Sequence, residues 1–151
     1  MTEAVHPDPV WRSRADFVIG ARLPEGSEQL WAKQLGEHVF ELCCVPFFVY
    51  GLALGDVVET DTGYELRRVA RRSGRSVFRV WFGDSPLSTT DRDRVAADLA
   101  EAGALVERSS ANLLAVDAAT PELADSVAAY LAEHAELGHL TFEVGVRGQA
   151  R

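Results

Sequence analysis

The hydrophobic pattern of this chain changes period at Gly83, and that switch limits the possible folds more than any single motif does. Upstream, short apolar runs at 16–21, 28–34, 39–43, 56–60 and 64–69 are separated by turn chemistry: Pro24-Glu25-Gly26-Ser27, Gly36 and Asp61-Thr62-Gly63. Runs of this length, rich in β-branched and aromatic residues, predict strands of a small barrel or curled sheet. Downstream, Ser88, Thr89 or Thr90 can cap a helix whose first turn carries Asp91 and Asp93, favourable at the positive end of the helix dipole. Val95, Ala96, Leu99 and Ala102 form its apolar stripe, and Gly103 ends it. Strands at about 104–108 and 112–117 follow, and Thr120-Pro121 then opens a second helix with a cap and a proline at its first position. Leu123, Val127, Tyr130 and Leu131 are its expected buried face, and Gly138 is its stop. The last segment alternates, with Leu140, Phe142, Val144 and Val146 on one side and Thr141 and Glu143 on the other.

Counted from Ser76, the order is strand, helix, strand, strand, helix, strand, the ferredoxin-like split βαβ arrangement. The expectation is an α+β protein: a flexible lead-in at 1–15, a β-barrel-like half at 16–75 and a ferredoxin-like half at 76–147, packed as one unit. Strand 76–82 could be shared between the halves. A chain of 151 residues buries roughly 70% of its unfolded surface and needs neither metal nor disulfide to fold.

Charge and composition narrow the function classes. The formal charge is −8, which argues against general affinity for nucleic-acid backbones. The longest apolar run, 43–54, is too short to cross a bilayer. The first ten residues have neither a basic start nor an apolar core, so the chain reads as cytoplasmic rather than secreted. Cys43 and Cys44 are adjacent, and strand alternation places one in the core and the other facing outward or into a second layer. Either thiol would need neighbouring cations to become reactive.

The densest charge feature is Arg67, Arg68, Arg71, Arg72, Arg75 and Arg79. Alternation in strands 64–69 and 76–82 would let Arg67 and Arg79 stand in a row across paired strands, able to clamp a carboxylate or phosphate. The plainer reading is a solvated face balanced by Asp56, Glu59, Asp61 and Glu65. Asp56 follows Gly55 at a turn, where its carboxylate can accept backbone N–H bonds. The amides of Ser73 and Ser76, beside Gly74, could form a small anion nest. His6 falls in the lead-in, and His38, His134 and His139 lack metal-ligand spacing, so neither metal nor cofactor is expected. Walker, dinucleotide and nucleophile-elbow motifs are all missing.

Pro46-Phe47-Phe48, Tyr50-Gly51, Gly55-Asp56-Val57-Val58, Arg72-Ser73-Gly74, Ser76 and Arg79 resemble the bacterial domain of unknown function 4265. Leu30-Trp31-Ala32 and Leu140-Thr141-Phe142-Glu143 are similar to that family too, so the resemblance spans about 16–145. It implies no chemistry, because the family has no established activity. Where its pattern would have a polar residue before the Val-Pro-Phe-Phe run, this chain has Cys44.

Three functions fit these residues. The first is a binding or accessory module that recognises a small anionic ligand or a partner protein in the cleft between the halves. Arg72, Arg79, Asp56, Ser73 and Ser76 would orient the ligand, with Phe47, Phe48 and Tyr50 as apolar contacts. The second is a small enzyme with an acid–base centre at Asp56, His38 or Tyr50. The third is an acidic immunity or accessory protein for a larger partner. No nucleic acid or membrane partner is expected, and an apolar sheet face leaves a homodimer open.

Overall fold

A computed structural model describes residues 2–148. Among these residues ten strands and two helices form an α+β protein with two sheets: β1 (Thr2–Ala4), β2 (Phe17–Leu23), β3 (Gly26–Gly36), β4 (Val39–Leu42), β5 (Val57–Thr60), β6 (Leu66–Arg71), β7 (Ser76–Trp81), α1 (Thr89–Glu101), β8 (Leu105–Ser110), β9 (Leu113–Ala118), α2 (Pro121–Glu136) and β10 (Thr141–Val146). A 3₁₀ turn at Arg12–Arg14 precedes β2.

The first sheet is a curled antiparallel meander from β2 to β6. At 11 residues, β3 is long enough for one edge to seat two strands, β1 beside 26–28 and β4 beside 32–36. The sheet does not close into a barrel: among the described residues β2 and β6 form no ladder, and an isolated bridge joins Gly20 to Glu65, the residue before β6. Alternation along β3 turns Glu28, Leu30 and Ala32 inward, and the last two pack with Ile19, Phe40, Leu42, Cys44 and Val58.

The second sheet has the order β10-β7-β9-β8 with every neighbouring pair antiparallel, and α1 and α2 are its crossovers. Ser88 caps α1 and Thr120 caps α2, each through its hydroxyl. Strand β7 pairs only with β9 and β10, so it is not shared between the sheets.

This sheet is the middle layer. One face, with Phe78, Val80, Leu114, Val116 and Ala118, packs on Val95, Leu99, Val127 and Leu131 of the helices. The other, with Val77, Leu113 and Ala115, packs on Val45, Phe47, Ala53 and Leu54 of the connection between β4 and β5. The even alternation expected for β10 fails at Gly145, where a bulge separates Val144 from Val146. Phe142 therefore packs toward the helices and Val146 toward the other layer, while Val144 is half-exposed.

Candidate functional site

The connection from β4 to β5, residues 43–56, has no ladder of its own, yet 43–47 and 52–54 are buried. Buried backbone must find partners, and an irregular segment cannot take them from a strand. Here buried charged side chains supply them. Glu28 accepts the N–H groups of Phe47, Phe48 and Val49 at 2.7, 2.9 and 3.1 Å. Glu107, on β8, accepts those of Val45 at 2.6 Å and Val10 at 3.3 Å. Asp56 accepts Ala53 N–H at 3.0 Å and Ser73 N–H at 2.8 Å. From the opposite side, the Arg79 guanidinium donates through Nε to the Phe47 carbonyl and through Nη2 to that of Val49.

His6 completes this layer, correcting its expected place in a flexible lead-in. Its ring lies between Glu28 and Glu107, 2.7 Å from a carboxylate oxygen of each, and stacks on Phe47 at 4.1 Å. The described part of the lead-in is built into the fold because β1 runs along β3 and Trp11 N–H donates to the Cys43 carbonyl. Burial disfavours charge on the imidazole, but the contacts with Cys44, Glu107 and Glu28 outweigh it and raise its pKa to about 11. Burial likewise pushes Glu28 up, and the His6 and backbone hydrogen bonds overcome this and leave it below the ordinary carboxylate value. Neither cysteine faces solvent. Cys44 belongs to the first sheet's core, and burial raises both thiols, Cys43 to about 11, so neither is an activated nucleophile.

Where this layer reaches the surface it opens into a cleft of about 380 Å³ lined by Phe47, Phe48 and Tyr50 of the connection, Arg79 and Trp81 of β7, Leu113 of β9, and Thr141, Phe142 and Glu143 of β10. Arg79 is only 6% exposed, and burial lowers its pKa. With Nε and Nη2 on the two carbonyls, Nη1 is buried without a hydrogen-bond partner among the described residues. The nearest carboxylate oxygen, on Glu143, is 3.9 Å away, an ion pair too long for a hydrogen bond. The Tyr50 ring lies over the guanidinium at 4.7 Å, and its hydroxyl donates to Glu143 at 3.0 Å. The bulge at Gly145 makes room for this arrangement, since a Cβ there would stand 2.3 Å from Nη1.

The eight residues singled out from sequence are thus divided. Phe47, Phe48, Tyr50 and Arg79 share the first cleft. Asp56 and Arg72 line a second, of about 400 Å³, with Arg75, Arg147 and four glycines. Ser73 and Ser76 line neither. The Ser73 amide is taken by Asp56, and the Ser76 hydroxyl accepts Gly148 N–H at 2.8 Å. The row of guanidinium groups does not form, because Arg67 is on β6 of the first sheet and Arg79 on β7 of the second. Three others of the cluster bind acids: Arg68 holds Glu59, Arg72 reaches Asp56, and Arg75 grips Asp117 at 2.8 and 2.7 Å. Asp56, His38 and Tyr50 occupy three separate places, with the His38 ring tilted against that of Tyr64.

Sequence reasoning missed His6, Glu28, Glu107 and Glu143. A signal existed for Glu28, which shares the inward phase of Leu30 and Ala32. For His6, 101 residues from Glu107, there was none. Among the described residues no group of three or more His, Cys, Asp or Glu side chains could hold a metal, and no helix is long and apolar enough to cross a membrane.

This combination of a charged, buried connection and an arginine-floored cleft sits within a recognised family. The chain belongs to the Domain of unknown function (DUF4265) family, whose model matches residues 28–142. A crystal structure of a hypothetical protein from Neisseria gonorrhoeae has the same fold, with a TM-score of 0.70 over 88% of this chain and 94% of that one, at 17% identity. Comparison with curated proteins gives no significant match.

Proposed function

We propose that the chain is a cytoplasmic, non-catalytic binding module that takes a small ligand by an anionic group in the Arg79 cleft, beside a C-terminal half of ferredoxin-like type. The observation that carries this reading is Arg79, a buried residue that lines a cleft with Phe48, Tyr50 and Trp81 among its walls and whose guanidinium nitrogen Nη1 has no hydrogen-bond partner among the described residues. Leaving a buried donor unmade costs about 1–3 kcal/mol, and an acceptor on a ligand would recover it. A mostly apolar cleft with few convergent polar groups, at the junction of two layers, is the usual form of a small-molecule site. Two unpaired, buried cysteines fit a reducing compartment.

The test is a thermal-shift screen of carboxylates, amino acids and phosphates on the native protein and on Trp81→Ala, Arg79→Lys and Arg72→Ala. A ligand that binds only the folded state raises the melting temperature. The reading expects a shift that is weakened in the first two variants and kept in Arg72→Ala, whose residue lies in the other cleft. A shift lost only in Arg72→Ala would move the site to the second cleft and end this reading.

A further inference from the structure

The cleft's second charged group specifies the ligand further. Glu143 is half-exposed, accepts only the Tyr50 hydroxyl among the described residues, and holds an oxygen 3.9 Å from Nη1 of Arg79. An anion that hydrogen-bonds to Nη1 is therefore drawn beside a carboxylate, where like charges repel. A ligand carrying its own cation next to its anion turns that repulsion into attraction. Resting on the reading that Arg79 takes an anionic group, we propose that the ligand is a zwitterion, an α-amino acid with an apolar side chain.

The geometry favours this class over larger dipolar molecules. The acceptor that Nη1 lacks and the donor that Glu143 can take must lie close together on the ligand, because their two protein partners are themselves only 3.9 Å apart. The ammonium and carboxylate of an α-amino acid are separated by one carbon. The aromatic walls suit both parts of such a molecule: the rings of Tyr50 and Trp81 attract an ammonium group, and Phe48 and Phe142 offer apolar surface to a side chain. The volume, about 380 Å³, is at the small end of the range of about 300–1,000 Å³ for ligand clefts. Tyr50 is the cover. It is 69% exposed, lies across the guanidinium and is tethered to Glu143 by one hydroxyl bond, so its displacement opens both charges together.

Calorimetric titration with leucine and phenylalanine, their N-acetyl derivatives and their methyl esters tests this on the native protein and on Glu143→Gln, a surface change that leaves Arg79 anchored. The free amino acids are expected to bind at least tenfold more tightly than either blocked form, and Glu143→Gln to erase the preference over the N-acetyl form while binding persists. Equal binding of free and N-acetylated forms overturns the zwitterion proposal and leaves the anionic reading standing. Methyl esters that bind as well as the free acids remove Arg79 from recognition and overturn both. No binding by any of the six compounds overturns the amino-acid assignment, and the wider anion screen then decides the parent reading.

Discussion

The two faces of the second sheet are built from the same strands, yet they are opposites. Toward the helices, β7, β9 and β8 present Phe78, Val80, Leu114, Val116, Ala118 and Val106, and the one charged side chain on this face, Arg108 at the sheet edge, is exposed and pairs with Asp93 of α1. Toward the β4–β5 connection they present Arg79, Asp117 and Glu107 between Val77, Leu113, Ala115 and Leu105, and all three charged side chains are buried. The partners explain the difference. Helices arrive with their backbone groups satisfied, so an apolar surface suffices. An irregular connection arrives with N–H and C=O groups open, and only side chains that accept or donate can bury it. Glu28 serves three amides and Glu107 two, His6 bridges both carboxylates, and Asp117 pairs with Arg75, so the layer gathers its charged groups without excess charge.

The variant expected to break this contrast most severely is His6→Ala. It leaves two buried carboxylates facing each other without their shared cation, and removing one member of a buried charge cluster costs about 3–5 kcal/mol. Chemical denaturation measures the loss. Adding Glu28→Gln to His6→Ala should recover part of it, because the pair is coupled, and a double variant worse than the sum of the single ones would refute the pairing. On the apolar face, Leu131→Ala should cost about 2–5 kcal/mol through transfer and cavity terms. Its loss should be indifferent to pH, which separates the two faces experimentally.

A smaller effect is expected at Asp56→Asn, where one of two accepted N–H bonds is lost and about 1–3 kcal/mol with it. The pH dependence sharpens the contrast further. The folded pKa of His6 is raised from 6.5 to about 11, so its contribution is complete below pH 6.5 and falls as pH rises toward 11. One proton gives a slope of about 1.4 kcal/mol per pH unit. Glu28 acts in the opposite sense: its pKa is lowered, so its contribution is present above the ordinary value of 4.5 and is lost as pH falls through the folded value. Urea midpoints across the alkaline range should fall in the native protein and fall less in His6→Ala. At the other extreme, Arg68→Ala breaks an exposed pair with Glu59 and should leave the melting temperature unchanged.

The helix-facing layer was legible in the sequence because it is apolar and periodic. Val95 and Leu99 recur at helical spacing, Thr120-Pro121 marks a helix start, and the elements from Ser76 onward occur in the order read. The alternation of β10 was misread only at Gly145, where a bulge adds a residue to the strand beside the Arg79 guanidinium. The charged layer was harder to see for a physical reason. Its pairings join residues far apart in the chain, and a buried carboxylate differs from a solvated one only by the phase of its neighbours. The turn role of Asp56 was readable because its bond to Ala53 N–H is local, whereas its bond to Ser73 N–H, 17 residues away, was not. Four of the nine residues that line the candidate cleft, Arg79 with Phe47, Phe48 and Tyr50, were named from sequence. Thr141, Phe142 and Glu143 joined it only through the pairing of β10 with β7, and Leu113 through that of β9.

The central claim is that a charged imidazolium, held between Glu28 and Glu107, fastens the buried connection to both sheets. Nitrogen-15 and carbon-13 chemical shifts of the His6 ring, followed by NMR from pH 5 to about pH 10, test it most directly. A ring that stays doubly protonated through pH 9, with slowly exchanging protons on both nitrogens, is the expected result. A ring that titrates near 6.5, the ordinary histidine value, would contradict the account.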